Sequence, residues 1–134
     1  MNTSSRPPST RPSNAPRRKI LIVDDDEDAT RLLAHVLGRT HDVSYALDGV
    51  AGLEMASKSP PDLLLTDVKM PRLDGVTMVR LLRAEGAKYP VLFLTASTDA
   101  FTLTAAIAAG AKGFVTKPID LGQLEARVRA ALRS

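Results

Sequence analysis

Residues 19–26, Lys19-Ile20-Leu21-Ile22-Val23-Asp24-Asp25-Asp26, set an apolar run directly against three acids. The run has no polar alternation and is rich in β-branched residues, which predicts a strand buried on both faces. Helical spacing follows at Ala29, Leu32, Leu33, Val36 and Leu37, with Gly38 as a stop. The same alternation then repeats down the chain. Asp42 to Ala46 is a weaker second strand, and a short helix around Val50 and Leu53 ends by Pro60-Pro61. Asp62 to Thr66 reads as the third strand, with Val76, Val79 and Leu82 marking its helix. Val91-Leu92-Phe93-Leu94 is the fourth strand, followed by an alanine-rich helix from about Thr98 to Ala109. Gly113 to Thr116 is the fifth, and Leu121, Leu124, Val128, Ala131 and Leu132 lay a stripe along a last helix with Arg127, Arg129 and Arg133 facing outward. Five such units predict an α/β fold: a doubly wound, five-stranded parallel sheet with helices on both faces.

Ligands of such sheets bind beyond the carboxyl ends of the strands, where the strand order reverses. Each strand end is therefore informative. The first strand is followed by Asp24-Asp25-Asp26, the third by Asp67, the fourth by Thr95 and the fifth by Lys117-Pro118, whereas the second ends in Ala46-Leu47. In the flavodoxin-like order 2-1-3-4-5 the first and third strands flank the reversal, and those two carry the acids. Carboxylates so close resist ionising together unless a cation is present. A hard divalent ion with oxygen ligands resolves the conflict, and Mg²⁺ suits a few carboxylates plus water and phosphate oxygens. An acidic helix start accounts for Asp26, Glu27 and Asp28, but not for Asp67, alone between an apolar strand and a Met-Pro turn. His35 and His41 fall on a helix and a turn, away from these strand ends, and read as structural or solvated.

Composition narrows the rest. The 134 residues carry 18 Lys and Arg against 15 Asp and Glu, a net charge of +3. Residues 1–18, MNTSSRPPSTRPSNAPRR, contribute four arginines, four prolines and no acid. Such a segment cannot bury enough surface to offset the entropy of ordering and reads as a disordered basic Pro/Ser-rich arm. Without its four charges residues 19–134 stand at −1, so the basic balance belongs to the arm. A solubilising leader is the better reading of the arm, and nucleic acid is not an expected partner of the domain. No cysteine is present, which excludes disulfides and thiolate metal sites. No apolar run is long enough to span a membrane and no signal-peptide core follows the arginines, so the expected location is cytoplasmic, without membrane contact.

Residues 19–134 resemble the receiver domain of two-component response regulators, of the kind found in chemotaxis regulators. The resemblance rests on Lys-Ile-Leu-Ile-Val-Asp-Asp, Leu-Thr-Asp-Val-Lys-Met-Pro-Arg-Leu-Asp-Gly, Phe-Leu-Thr-Ala and Gly-Phe-Val-Thr-Lys-Pro, in that order and spacing. It implies that Asp67 accepts a phosphoryl group from a phosphohistidine on a sensor histidine kinase or phosphotransfer protein. It implies Mg²⁺ held by Asp24, Asp25, Asp67 and the backbone carbonyl of Lys69. By the same resemblance Lys117 contacts the phosphoryl oxygens, Thr95 is the switch hydroxyl, Phe114 the aromatic gate, and Pro118 follows a cis bond. Lys69 and Ser97 occupy positions where the family tunes acyl-phosphate lifetime.

A phosphorylated state of this kind reshapes the surface of the fourth helix, fifth strand and fifth helix, where an unnamed downstream protein binds. The expected role is a signalling switch, not an enzyme beyond its own phosphorylation and dephosphorylation. Related transcription-factor receivers dimerise through their fourth and fifth helices, usually with acids on the fourth helix and before the gate aromatic. Here the fourth-helix stretch is Phe101-Thr102-Leu103-Thr104-Ala105-Ala106, and Lys112-Gly113 precedes Phe114, so Arg127 and Arg129 lack acidic partners. A monomer or weak dimer is expected. The sequence carries no output domain after Ser134 and reads as a single-domain regulator or a segment of a longer protein.

Two other readings stand beside this one. A pseudo-receiver would keep the fold as a binding module, but Asp24, Asp25, Asp67, Thr95 and Lys117 are all present. A phosphatase of the haloacid-dehalogenase type could open on Asp24-x-Asp26. Glu27-Asp28 then replaces the expected Thr or Val, and Asp67 is left idle. Which aspartate takes the phosphoryl group, Asp67 or Asp24, separates this phosphatase from a receiver.

Overall fold

The computed structural model describes residues 17–96 and 99–133. Five strands alternate with five helices: β1 (Lys19–Val23), α1 (Glu27–Leu37), β2 (Asp42–Ala46), α2 (Gly49–Lys58), β3 (Leu63–Asp67), α3 (Gly75–Ala84), β4 (Val91–Thr95), α4 (Ala100–Ala108), β5 (Gly113–Thr116) and α5 (Leu121–Arg133). The strands form one sheet in the order β2-β1-β3-β4-β5, and every pairing is parallel.

The continuous apolar strands are explained by the two cores they serve. Leu21, Val23, Leu64, Val91 and Phe93 point to one face and pack with Ala56 of α2, with Val76, Met78, Val79 and Leu82 of α3, and with Ala106 of α4. Their neighbours Ile20, Ile22, Leu63, Leu65, Leu92, Leu94 and Val115 point to the other face, against Leu33 and Leu37 of α1 and Leu124, Val128, Ala131 and Leu132 of α5. With side chains alternating along each strand, a sheet covered on both sides needs apolar residues at every position. β2, at the sheet edge, is mostly exposed, in keeping with its weaker pattern.

Aspartate starts all five helices. Asp26, Asp48, Asp74 and Asp99 cap α1 to α4 by accepting the N–H of Ala29, Ala51, Thr77 and Thr102. Asp120 accepts the Gln123 N–H at 2.9 Å at the head of α5. Such caps satisfy N–H groups that the helix leaves without partners. A third of the chain's 15 acids is thereby committed to helix starts, and Asp26 is one of them.

Some boundaries differ from the sequence reading. β3 runs one residue later, and β4 one residue longer, so Asp67 and Thr95 are the last residues of their strands instead of the first beyond them. Leu32 fits the apolar spacing of α1 yet is 54% exposed, while Thr30 is fully buried in its place. The Thr30 hydroxyl reaches the carbonyl of Asp24 at 3.3 Å, which satisfies it inside the core. The expected start of α4 at Thr98, like Ser97 and residues 1–16 of the arm, lies outside the described residues. Arg17 and Arg18 are described. Arg17 Nη2 donates to the carbonyls of Gly38 and His41, both at 2.7 Å, and Arg18 Nη2 to that of Leu132 at 3.1 Å, so each guanidinium sits at a helix carboxyl end, where cations are favoured.

Candidate functional site

β1 and β3 are neighbours and deliver Asp24 and Asp67 to the same edge of the sheet. Asp24 is 1% exposed, Asp67 half-buried and Asp25 open to solvent. One carboxylate oxygen from each of the three lies within 4.8 Å of the others. Lys117, just past β5, crosses the edge to meet them. Its Nζ lies 2.8 Å from Asp24 Oδ2 and 3.1 Å from Asp67 Oδ2.

The local backbone fixes these positions. The Asp24 N–H is bound by the carbonyl of Ala46 at 3.2 Å, and Asp24 Oδ1 accepts the N–H of Asp26 at 3.0 Å. Asp67 Oδ1 accepts the N–H of Val68 at 2.7 Å, and the buried Thr66 hydroxyl donates to the Asp67 carbonyl at 2.9 Å. The Gly75 N–H closes the loop that follows on Val68 O at 2.7 Å. Lys117 is seated by its own N–H on Thr95 O at 2.9 Å, and its bond to Pro118 is cis.

Electrostatics follows from burial and proximity. Loss of solvent raises the Asp67 carboxyl above its ordinary value; the hydrogen bond and charge of Lys117 oppose this, and the charge of Asp24 adds to the rise. Burial alone would pull the Lys117 ammonium down, but its bonds to Asp24 and Asp67 carry it above its ordinary value. A protonated lysine therefore bridges two carboxylates.

The donor set fits a hard divalent cation. It consists of carboxylate oxygens from three residues within reach of one centre, with no sulfur or imidazole in the cluster. Lys69, two residues after Asp67, is exposed on the β3–α3 loop. Beside the acids a cleft of about 360 Å³ runs between α1 and the β5–α5 connection, where Leu32, Leu33, Ile119 and Leu121 adjoin Asp24 and Lys117.

Thr95 is 3% exposed at the end of β4. Phe114 pairs in register with Phe93, two residues before Thr95, which puts Thr95 and Phe114 on the same face of the sheet. The Phe93 and Phe114 rings are 6.3 Å apart at an interplanar angle of 29°, and Phe114 is only partly buried. The structure thus brings Asp24, Asp25, Asp67 and Lys117 together and sets Thr95 and Phe114 along the neighbouring strands. Sequence reasoning missed Thr66, Gly75 and the Arg72–Asp48 ion pair at 2.8 Å; only Gly75, at a helix start after Asp74, left a local signal.

Fold and site together define a doubly wound α/β module of the receiver type, with an acidic centre at its strand ends. The chain belongs to the response regulator receiver domain family of two-component signalling, whose family model matches residues 20–129. It is 39% identical over 117 residues to the alkaline phosphatase synthesis transcriptional regulatory protein PhoP of Bacillus subtilis, covering 87% of this chain and 49% of PhoP. It is 43% identical over 116 residues to the response regulator MprA of Mycobacterium leprae, covering 86% and 51%. The chain therefore spans about half the length of these curated relatives. Among solved structures, the Vibrio cholerae chemotaxis protein CheY4 superposes with a TM-score of 0.81 at 28% identity, covering 87% of this chain and 99% of that one. Receiver domains are signalling proteins, and among the described residues no helix is long and apolar enough to cross a membrane.

Proposed function

We propose that this chain is a phosphorylation-operated switch in which Asp67 accepts a phosphoryl group from a phosphohistidine of a sensor kinase or phosphotransfer protein. One observation carries the reading: the Lys117 ammonium hydrogen-bonds both Asp24 and Asp67, so a cation already faces the carboxylate that would react. An Asp67 oxygen attacks phosphorus, the bond from phosphorus to the imidazole nitrogen breaks, and its electron pair stays on the ring. The product is an acyl phosphate on Asp67. Phosphoryl transfer passes through a loose transition state, so the protein's work is positioning and charge neutralisation.

Asp67 Oδ1 is held by the Val68 N–H and Oδ2 by Lys117. As the new bond forms, Lys117 exchanges its contact with Asp67 for one with the phosphoryl oxygens. Asp24, Asp25, Asp67 and the carbonyl of Lys69 would hold Mg²⁺, which when bound neutralises charge on the phosphoryl oxygens. The apolar cleft beside Asp24 and Lys117 gives the donor protein a surface to rest on, and the exposed Leu32 belongs to it.

The new oxygens offer the Thr95 hydroxyl a charge-assisted acceptor. Thr95 moves toward them and frees space on the sheet face that Phe114, already partly buried there, turns to fill. The change reaches α4, β5 and α5, where a downstream protein reads it. α4 carries no charged residue, and Phe101 and Ile107 stand 86% and 60% exposed on it. Two states separated by a few kcal/mol suffice for one modification to shift their populations. With Arg127 and Arg129 exposed on α5 and no acid on α4 to meet them, the domain acts as a monomer or weak dimer.

Incubation with a small phosphodonor and Mg²⁺, followed by intact-mass measurement, tests the reading. Wild type gains one phosphoryl group and Asp67→Ala gains none. An adduct on the variant, or none on wild type, overturns it.

A further inference from the structure

Arg72 occupies a backbone conformation that suits glycine. Its φ is 71°, which among the described residues no other non-glycine residue shares in sign. The Leu73 N–H closes on the carbonyl of Pro71 at 2.8 Å, making a three-residue turn centred on Arg72. A γ-turn with positive φ at its centre is rare and strained, and any residue with a Cβ is disfavoured there. Glycine would hold the turn without that cost.

What arginine adds is its side chain. Nη2 of Arg72 donates to Asp48 Oδ2 at 2.8 Å. Asp48 Oδ1 accepts the Ala51 N–H at 2.8 Å and so caps α2. One carboxylate thus starts a helix and ties down a loop at the same time. The loop is also pressed against that helix, because a Cβ on Gly49, the first residue of α2, would lie 2.2 Å from the Leu73 carbonyl oxygen. At its roots the loop is anchored to Asp67 through the Val68 N–H on Oδ1 and to α3 through the Gly75 N–H on Val68 O. Lys69 lies between these roots and the turn.

We propose that Arg72 is a positioning residue: its ion pair with Asp48 holds the β3–α3 loop, residues 68–74, against α2 and so presets Asp67 and the Lys69 carbonyl for a divalent cation. The inference rests on the reading of those two residues as part of the Mg²⁺ site. Outer-shell groups that orient metal ligands act in this way, and losing one weakens metal binding without touching the metal.

Calorimetric titration with Mg²⁺ alone, on wild type, Arg72→Gly, Arg72→Lys and Asp48→Asn, tests it. Arg72→Gly removes the ion pair and relieves the turn, so the fold is not weakened. Asp48→Asn keeps a capping oxygen for α2 and places its amide nitrogen toward Arg72. Both weaken Mg²⁺ binding by about tenfold, and the double variant is no weaker than either, because both break one link. Arg72→Lys retains most of the affinity. In Mg²⁺-free protein, amide hydrogens of residues 69, 70, 72 and 73 exchange faster in Arg72→Gly and in Asp48→Asn. Wild-type affinity in both single variants, or losses that multiply in the double, overturns the positioning role. Failure of wild type to bind Mg²⁺ sinks the site itself, a separate result.

Discussion

The backbone of Gly75 passes so close to Asp67 that a Cβ at residue 75 would sit 2.0 Å from the Asp67 carbonyl oxygen. The first turn of α3 and the end of β3 are therefore pressed together beside the proposed phospho-acceptor, with the Thr66 hydroxyl bound to the same carbonyl. Backbone atoms cannot yield as a flexible side chain would. Gly75→Ala is expected to cost about 1–3 kcal/mol by overpacking and to slow phosphoryl acceptance at Asp67, because the displaced carbonyl carries its side chain with it. Urea denaturation and the rate of mass gain check both. Unchanged stability would show that the two elements slide apart freely.

Burial raises the Asp67 carboxyl above its ordinary value of 3.8, so folding favours its neutral form. Ionised Asp67 then opposes folding, by an amount that grows as pH rises from 3.8 through the higher folded value and stays constant above it. Asp67→Asn removes that charge. The variant is expected to be more stable than wild type at neutral pH, with the gain shrinking as pH falls through the folded value and gone below 3.8. Melting curves of both proteins across pH test this, and an advantage independent of pH would contradict it.

Lys117 shows the opposite linkage. Its folded value lies above 10.5 because Asp24 and Asp67 bind the ammonium. The stability it contributes is complete below 10.5 and disappears as pH rises through the folded value. Lys117→Met leaves two carboxylates together without a cation and is expected to destabilise the domain near neutral pH. Added Mg²⁺ should restore more stability to this variant than to wild type. Equal Mg²⁺ effects on the two proteins would count against a shared site.

Arg83 ties two segments through three carbonyls: Nη1 to Ala87 at 3.2 Å and Tyr89 at 2.7 Å on the α3–β4 connection, and Nη2 to Gly110 at 3.2 Å on the α4–β5 connection. α4 buries only Ala106 among its nine residues, so this link at its carboxyl end matters to its position. Arg83→Ala is expected to cost about 1–3 kcal/mol and to speed amide exchange at residues 105–111. Unchanged exchange there would remove Arg83 from the control of α4.

Phe101 is exposed and contributes little to the core. Phe101→Ser is expected to change stability by no more than about 0.5 kcal/mol while shortening retention on a hydrophobic-interaction column. An equal retention time would mean that this face is not apolar in solution.

Much of this architecture was legible in the sequence because parallel strands buried on both faces need unbroken apolar runs, and Ile20 to Val23 and Val91 to Leu94 supply them. The acids and the lysine were legible because chemistry in this fold gathers at strand ends. What could not be read depends on residues far apart in the chain. The exposure of Leu32 reflects a cleft formed with the β5–α5 connection, and the burial of Thr30 depends on the Asp24 carbonyl that its hydroxyl reaches. Arg72 carried no sequence sign of its left-handed backbone, since arginine at that position looks like an ordinary loop residue.

The Lys117 bridge spans 93 residues of chain to Asp24 and 50 to Asp67. A nascent polypeptide possesses both acids long before it possesses the cation that pairs them. Until the final strand is laid beside β4, the acidic centre is an unbalanced cluster on an incomplete sheet. On the proposed function, competence at Asp67 waits for β5 and Lys117, and a chain truncated before β5 lacks the cation that pairs the two acids. On that same reading, phosphoryl uptake at Asp67 reports a completed sheet, readable in a mixture where spectroscopic measures of helix content would count partly folded chains as whole.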